Sequence, residues 1–333
     1  MATPTVLITG GAGYIGSHAV LAFRSAGYPV VVLDDLSTGR RAAVAEDIPF
    51  IEGDVGDRTV VDAVIHKHKI AAVVHFAGSI VVPESVSDPL KYYLNNSCAS
   101  RTLIHACVAA GVKRFIFSST AAVYGMPDQV PVAEDAPLAP INPYGTSKLM
   151  TEWMLRDTAA AHDFAYVALR YFNVAGADPQ GRTGQASKAP THLIEVANRA
   201  AAGDRDHLTI FGDDYDTPDG TCVRDYIHVT DLADAHFLAL RYLAGGGRSR
   251  PLNLGNQRGF SVREVADAVR RVTGRDFAVR MGPRRPGDPA KLVADATAAR
   301  QVLGWTPQRA DLDTQIGDAW RWQQAMAKAS PAG

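Results

Sequence analysis

Short, uninterrupted apolar runs alternate with helix-like stretches through the first half of the chain. The runs Val6–Thr9, Val30–Asp34, Ile48–Ile51, Ala72–Phe76, Phe115–Ser118 and Ala165–Arg170 have the length and β-branched content of strands. Segments with helical character lie between them, among them Thr59–His68 and Asn95–Ala110. Strands that stay apolar throughout, joined by helical crossovers, predict a parallel sheet covered on both faces; a sheet with one wet face would alternate polar and apolar residues. The expected fold class is α/β, a doubly wound parallel Rossmann sheet.

From about Asn173 this rhythm breaks up. Gly181–Lys188 and Gly212–Gly220 are rich in turn residues. A later helix is well signalled: Ser261 and Glu264 have capping-box spacing, and Val262, Val265, Ala266, Val269 and Val272 place one apolar stripe behind them. Asp295 to Leu303, closed by Gly304 and Pro307, predicts another helix, and the tail after Ala325 is expected to fray. The expected organisation is a nucleotide-binding domain over residues 1–174, with 222–258 returning to it. Residues 175–221 and 259–333 then form a smaller α/β substrate-binding lobe.

At 333 residues and 47% hydrophobic composition, the chain can bury a large core. A formal net charge of −1 argues against nucleic acid or an acidic membrane surface as a partner. Cys98, Cys107 and Cys222 form no CxxC pair and no even framework, which suits a reducing compartment. The first strand begins almost at Met1, which leaves no room for a signal peptide, and no apolar stretch approaches the ~20 residues needed to span a bilayer. A cytoplasmic location is expected. His75, His192 and His228 show no metal-ligand spacing, and no metal site is expected; His228 is expected to be a structural hydrogen-bonder beside Asp231.

Three motifs carry chemistry. Gly10-Gly11-Ala12-Gly13-Tyr14-Ile15-Gly16 follows the first apolar run and opens a predicted helix, and Asp34 closes the next run, eighteen residues past Gly16. That is the spacing of a dinucleotide fingerprint. Glycines let backbone N–H groups approach a pyrophosphate at the helix N-terminus. Asp34 would accept hydrogen bonds from ribose hydroxyls and repel a 2′-phosphate, which favours NAD over NADP.

The second motif is Asn142-Pro143-Tyr144-Gly145-Thr146-Ser147-Lys148. An Asn N-cap and Pro at the first helical position put Tyr144 and Lys148 one turn apart on one face. A free tyrosine is only about one part in a thousand ionised at pH 7. A neighbouring ammonium and a cationic nicotinamide would favour the phenolate, giving a general base for a secondary alcohol. The third motif, Phe115 to Gly125, delivers Ser118, Ser119 and Thr120 at the carboxyl end of a strand, where ligands bind in open α/β sheets. Thr120 would hydrogen-bond a substrate oxygen and relay its proton to Tyr144.

With these motifs in view, the chain resembles the extended short-chain dehydrogenase/reductase family over nearly its whole length, and within it the nucleotide-sugar 4-epimerases. The most specific stretches are Gly10–His18, His75–Gly78, Pro83–Val86, Leu169–Asn173, Asp219–Ala233 and Arg284–Asp288. The resemblance implies Tyr144 as base, Lys148 as its electrostatic partner and ribose ligand, and Thr120 as relay. It also implies cofactor contacts from Gly10, Gly13, Tyr14, Ile15, Gly16, Asp34, Asp35, Asp54, Val55, Phe76, Ala77, Gly78, Asn95, Ser118 and Tyr171. Asn173, His192, Leu193, Thr209, Phe211, Arg224, Arg285 and Asp288, together with Thr120, would meet a UDP-sugar, the arginines and Asp288 holding its diphosphate and ribose. The chain departs from common family choices at Thr120 (often serine), at His192 (often asparagine) and at Ile80 (a lysine in some members). Leu292 stands where bulk helps decide whether N-acetylated sugars fit.

The implied reaction interconverts UDP-galactose and UDP-glucose at C4 through a 4-keto sugar on bound NAD; other UDP-sugars remain open. Dehydratases and decarboxylases of the family carry carboxylates just after the threonine, where this chain has Ala121 and Ala122. A non-catalytic NAD-responsive scaffold usually loses part of the Tyr–Lys–hydroxyl set, which is complete here. A homodimer is implied, through the helices around Asn95–Ala110 and Lys148–Ala161.

Overall fold

The computed structural model describes residues 3–186, 191–285 and 288–329. Seven parallel strands form the main sheet: β1 (Thr5–Thr9), β2 (Val30–Asp34), β3 (Phe50–Glu52), β4 (Ile70–His75), β5 (Arg114–Ser118), β6 (Ala165–Tyr171) and, from late in the chain, β10 (Arg250–Leu254). Their order is β10-β6-β5-β4-β1-β2-β3, so the chain reverses direction across the sheet between β1 and β4. A crevice opens at the carboxyl ends of strands at such a switch point. Register puts Thr9 opposite His75, His75 opposite Phe117, and Ser118 opposite Leu169, so these strand ends lie side by side.

Helices α1 (Tyr14–Ser25), α2 (Arg58–His68), α3 (Val82–Ser87), α4 (Pro89–Tyr92), α5 (Ala99–Ala109) and α6 (Pro143–Ala161) connect the strands. The period of two along a strand explains the two cores. Val6 and Ile8 of β1 face α1 and α8 (Val229–Ala244), packing with Val20, Phe23, Leu232 and Leu240. Leu7 faces the other way, into a second core with Val61, Leu103 and Leu155 from α2, α5 and α6. Both faces are dry, as the unbroken apolar runs require.

The remaining elements gather over the carboxyl ends. Strand β9 (Val223–His228) pairs with β7 (Asn173–Ala175), β11 (Gly259–Ser261) and β13 (Lys291–Leu292), while β8 (His207–Phe211) pairs in parallel with β12 (Ala278–Gly282). A third core joins α7 (Leu193–Ala202), α9 (Val262–Thr273) and α11 (Leu312–Ala329), with Val265, Val269 and Ile316 at its centre. The Ser261–Glu264 capping box forms, with both reciprocal bonds present. A short helix, α10 (Thr297–Leu303), packs beside Trp305. Among the described residues, no helix is long and apolar enough to cross a membrane.

Several boundaries differ from expectation. Strand β3 starts at Phe50 rather than Ile48, because Pro49 offers no N–H to the ladder; its carbonyl instead accepts from Val32 N. Helix α10 starts at Thr297, since the Asp295 carboxylate accepts from Thr297 N in a turn ahead of it. The expected helix from Asn95 begins instead as a π-turn over Tyr93–Cys98. The tail beyond Ala325 stays helical to Ala329, continuing a helix whose Trp322 indole, one turn earlier, donates to the Gln185 carbonyl at 2.8 Å. Of the turn-rich stretch 181–188, Ser187 and Lys188 lie outside the described residues, as do Pro286 and Gly287 of the Arg284–Asp288 motif.

Candidate active site

The glycine turn sits between β1 and α1. Gly10 takes φ +69°, and a Cβ there would lie 2.6 Å from the backbone N of Ala77 in the loop after β4. A Cβ on Gly16 would overlap the Gly10 carbonyl oxygen. Only glycine permits both the left-handed turn and this backbone-on-backbone contact. The N-cap Gly13 offers no side chain to the first turn of α1, which carries no acidic residue, so that end is open to an anion. Asp34, 6% exposed, accepts from Ala12 N at 2.8 Å and Leu36 N at 2.9 Å; burial raises its pKa against these two bonds. It therefore braces the turn, with its remaining lone pairs left for a ligand. Asp35 caps Ser37, and the exposed Asp54 accepts from Gly56 N at 2.7 Å beside buried Val55.

Tyr14 ties the turn to the second half of the chain. Its hydroxyl donates to the Gly176 carbonyl at 2.6 Å, and the Ser17 and Thr183 hydroxyls bond at 2.8 Å. Ile15 packs on the core beneath. Phe76 packs against His236 at 4.6 Å between centroids. Ala77 and Gly78 follow it, a Cβ on Gly78 falling 2.7 Å from Asn96 Oδ1.

On α6 the expected cap forms: Asn142 Oδ1 accepts from Gly145 N at 2.9 Å, with Pro143 at the first position. Lys148, 3% exposed, donates from Nζ to the Ser118 carbonyl at 3.1 Å and lies 5.0 Å over the Phe117 ring. Burial lowers its pKa to about 8. The Tyr144 phenol does not show the expected lowering by Lys148. Burial raises its pKa, and the nearby Thr120 hydroxyl works against burial. The ammonium is engaged by Ser118 and Phe117 instead. Ser118 Oγ bonds the Tyr171 hydroxyl, which places that ring at the same strand ends.

The residues expected to meet substrate fall into two groups. Asn173 Nδ2 donates to the Asp225 carbonyl at 3.2 Å, tying β7 to β9. His192 precedes α7, bonds Gln185 Nε2 at 2.8 Å and lies 6.4 Å from the Tyr14 ring; Leu193 packs on the third core. In the other group Thr209 and Phe211 lie on β8, with the Arg285 guanidinium 3.9 Å above the Phe211 ring. Arg224 is paired with Asp288 at 2.6 Å, so its charge is balanced inside the protein.

The structure fits a family. The model of the NAD dependent epimerase/dehydratase family matches residues 6–255. The chain belongs to this family. A UDP-glucose 4-epimerase of Azospirillum brasilense is 57% identical over 328 residues, covering 98% of this chain and 94% of that protein. The crystal structure of a UDP-glucose 4-epimerase from Brucella ovis in complex with NAD superposes with TM-score 0.93 at 48% identity, over 96% of this chain and 98% of that one. The structure of a UDP-Glc/GlcNAc 4-epimerase from Campylobacter jejuni gives TM-score 0.85 at 48% identity, over 97% and 99%.

In this NAD-dependent epimerase/dehydratase chain, three features escaped sequence reasoning. Asn95, expected on the cofactor side, does reach Ser79 Oγ at 3.0 Å. The π-turn, however, buries its neighbour Asn96, which accepts from Ser79 N at 2.7 Å and donates to Ser147 Oγ at 2.9 Å. His75 stands behind it. Because Ser100 Oγ donates to the Asn96 carbonyl, His75 Nε2–H must donate to Ser100 (2.8 Å) while Nδ1 accepts from Thr9 (2.6 Å). Burial and the Lys148 charge lower its pKa to about 3, so it stays neutral. His228 is a structural hydrogen-bonder, but its partner is Asp318 at 3.1 Å and not Asp231, whose carboxylate accepts from Arg309 N. The third feature is a buried Glu152–Arg170 pair behind the site. A charged residue inside an apolar helix stripe or strand was the available signal for it.

Proposed function

We propose that this chain inverts C4 of UDP-galactose and UDP-glucose, with Tyr144 as general base and Thr120 and Lys148 as its partners. What carries the reading is Tyr144 and Lys148 one turn apart on α6, with Lys148 bonded to the Ser118 carbonyl two residues before Thr120, at the switch point of a sheet whose glycine turn only a Cβ-free backbone could form. Those glycines, the uncapped start of α1 and Asp34 fit NAD. Bound NAD supplies the acceptor, and later the donor, of the C4 hydride.

The protein's part is to move one proton and hold the sugar nucleotide. Thr120 bonds the phenol and the C4 oxygen, so the proton passes over a short path. Lys148, held by the Ser118 carbonyl and the Phe117 ring, keeps a cation one turn along α6 from Tyr144, placed for a cofactor ribose. Arg224 is held beside Asp288 until a diphosphate competes for its fork, and Arg285 over Phe211 flanks the same place. Ala121 and Ala122 follow Thr120, so no acid stands there to eliminate water from the neighbouring carbon. Leu292, a side chain of middling bulk, packs against the apolar cluster of Ala121, Val123 and Leu149 that follows Thr120 in the chain. That position, with the Campylobacter relative, supports acceptance of N-acetylated sugars as the second reading.

A homodimer is supported by apolar side chains left exposed on the faces expected to pair: Trp153 (46%) and Met150 on α6, and Leu94 (63%) on the π-turn. The free thiols Cys98, Cys107 and Cys222 suit the reducing cytoplasm. The test of function is incubation of purified protein with UDP-galactose and no added NAD, followed by separation of sugar nucleotides. Conversion to UDP-glucose is expected. Inertness with and without NAD, alongside turnover of UDP-N-acetylgalactosamine alone, would move the assignment to the second reading.

A further inference from the structure

Three rungs join the end of β5 to one face of α6. Tyr144, Lys148 and Glu152 are spaced one helical turn apart, and each meets one of three consecutive residues. Tyr144 meets the Thr120 side chain, Lys148 the Ser118 carbonyl, and Glu152 Oε1 the Ser119 hydroxyl. The first two rungs belong to the proposed proton-transfer centre. The third is buried, with Ser119 at 0% and Glu152 at 6% exposure. Ser119 lies between the residues of the other two rungs, so its position fixes theirs.

Glu152 is held in turn by Arg170 of β6. Nε donates to Oε1 at 3.0 Å and to Oε2 at 3.2 Å, and Nη2 donates to Oε2 at 2.6 Å, with side chains 7% and 3% exposed. The other guanidinium nitrogen donates to the Tyr124 hydroxyl at 2.9 Å and the Glu134 carbonyl at 3.2 Å. Tyr124, four residues past Thr120, donates onward to Asn253 Oδ1 of β10 at 2.7 Å. The segment bearing Thr120 is thus clamped on both sides: Ser119 by Glu152, and Tyr124 by Arg170 and Asn253. Ser119 N also donates to the Leu169 carbonyl at 2.9 Å, beside Arg170.

A buried ion pair is a poor source of stability, since desolvation offsets most of the attraction. A rigid, fully satisfied network is a good source of geometry. We propose that Glu152 and Arg170 are positioning residues for proton transfer, holding Thr120 at the distance where its hydroxyl can bond the Tyr144 phenolate. This rests on Tyr144 and Thr120 acting as stated above.

The test compares the holoenzyme with three variants: E152M/R170M, which replaces both charges with apolar groups of similar length, E152Q, and T120V. Removing both partners avoids an orphaned buried charge; E152Q keeps a neutral acceptor of the same shape opposite Arg170, and each variant is read only after near-ultraviolet circular dichroism shows a packed core. Readouts are kcat, KM for UDP-galactose and the acid limb of the kcat–pH profile. Loss of one hydrogen bond to the phenolate should move that limb upward by roughly half to one pH unit. The expected result is that shift in all three variants, with kcat down about tenfold at neutral pH, KM within twofold, and no further shift when T120V is added to E152M/R170M. A limb that moves for T120V but not for E152Q or the double variant would overturn the inference alone. A limb unmoved even by T120V would overturn the role of Thr120 and, with it, this proposal.

Discussion

Replacing Lys148 by methionine should change stability and activity in opposite directions near neutral pH. Lys148 is 3% exposed, and burial lowers its pKa from 10.5 to about 8. A difference of about 2.5 pH units corresponds to about 3 kcal/mol of folding free energy. The sign follows from where the proton is held. Below pH 8 the ammonium is charged in folded and unfolded chains alike, and the fold carries the whole cost. Between pH 8 and 10.5 the folded chain releases the proton while the unfolded chain keeps it, so the cost is relieved and stability rises with pH. Methionine removes that cost at every pH. It also loses the bond to the Ser118 carbonyl and the contact over Phe117, each worth about 1 kcal/mol. Net, Lys148→Met should be about 1 kcal/mol more stable than the parent at pH 7 and about 2 kcal/mol less stable at pH 10.5. Urea unfolding of both cofactor-free proteins at pH 7, 8.5 and 10, followed by tryptophan fluorescence, measures the crossover. Turnover should fall at least a hundredfold, within the range for lost acid–base machinery. A stability difference that stays constant across this range would refute the argument that the lysine is held as a costly buried cation.

Other outcomes follow from the same geometry. Tyr144→Phe should lower kcat by about 10²–10⁴-fold while NAD stays bound, measured by turnover and by cofactor released on denaturation; a partner-binding scaffold would be indifferent to the change. Gly10→Ala forces a Cβ into a φ of +69° and against Ala77 N, so it should cost about 1–3 kcal/mol in unfolding experiments and release NAD. Trp153→Glu should convert the proposed dimer to a monomer in size-exclusion chromatography with light scattering, without changing the far-ultraviolet circular dichroism; a parent that already runs as a monomer would refute the proposed pairing.

Much of this molecule was legible in the sequence because its signals are local. The apolar runs foretold strands that are buried on both faces, and Ser261–Glu264 and Asn142–Pro143 foretold two helix starts to the residue. What was not legible depends on distant parts of the chain meeting. The π-turn at Tyr93–Cys98 rotates Asn96, not Asn95, into the interior, and no spacing rule anticipates one inserted residue. Glu152 and Arg170 lie on different elements, and His228 finds Asp318 from the far end of the chain. The electrostatic expectation for Tyr144 failed for a related reason. Sequence placed Lys148 one turn away but could not show that the Ser118 carbonyl and the Phe117 ring hold its charge.

The most direct measurement is epimerisation in D₂O. UDP-galactose is incubated with the purified protein, and the UDP-glucose formed is examined by NMR at C4. In the proposed mechanism Tyr144 moves only the hydroxyl proton, while the carbon-bound hydrogen leaves and returns without meeting solvent. The expected product carries no deuterium at C4, together with full conversion to equilibrium. Deuterium at C4 would mean that the carbon-bound hydrogen exchanges through a solvent-accessible base, and would contradict the central claim.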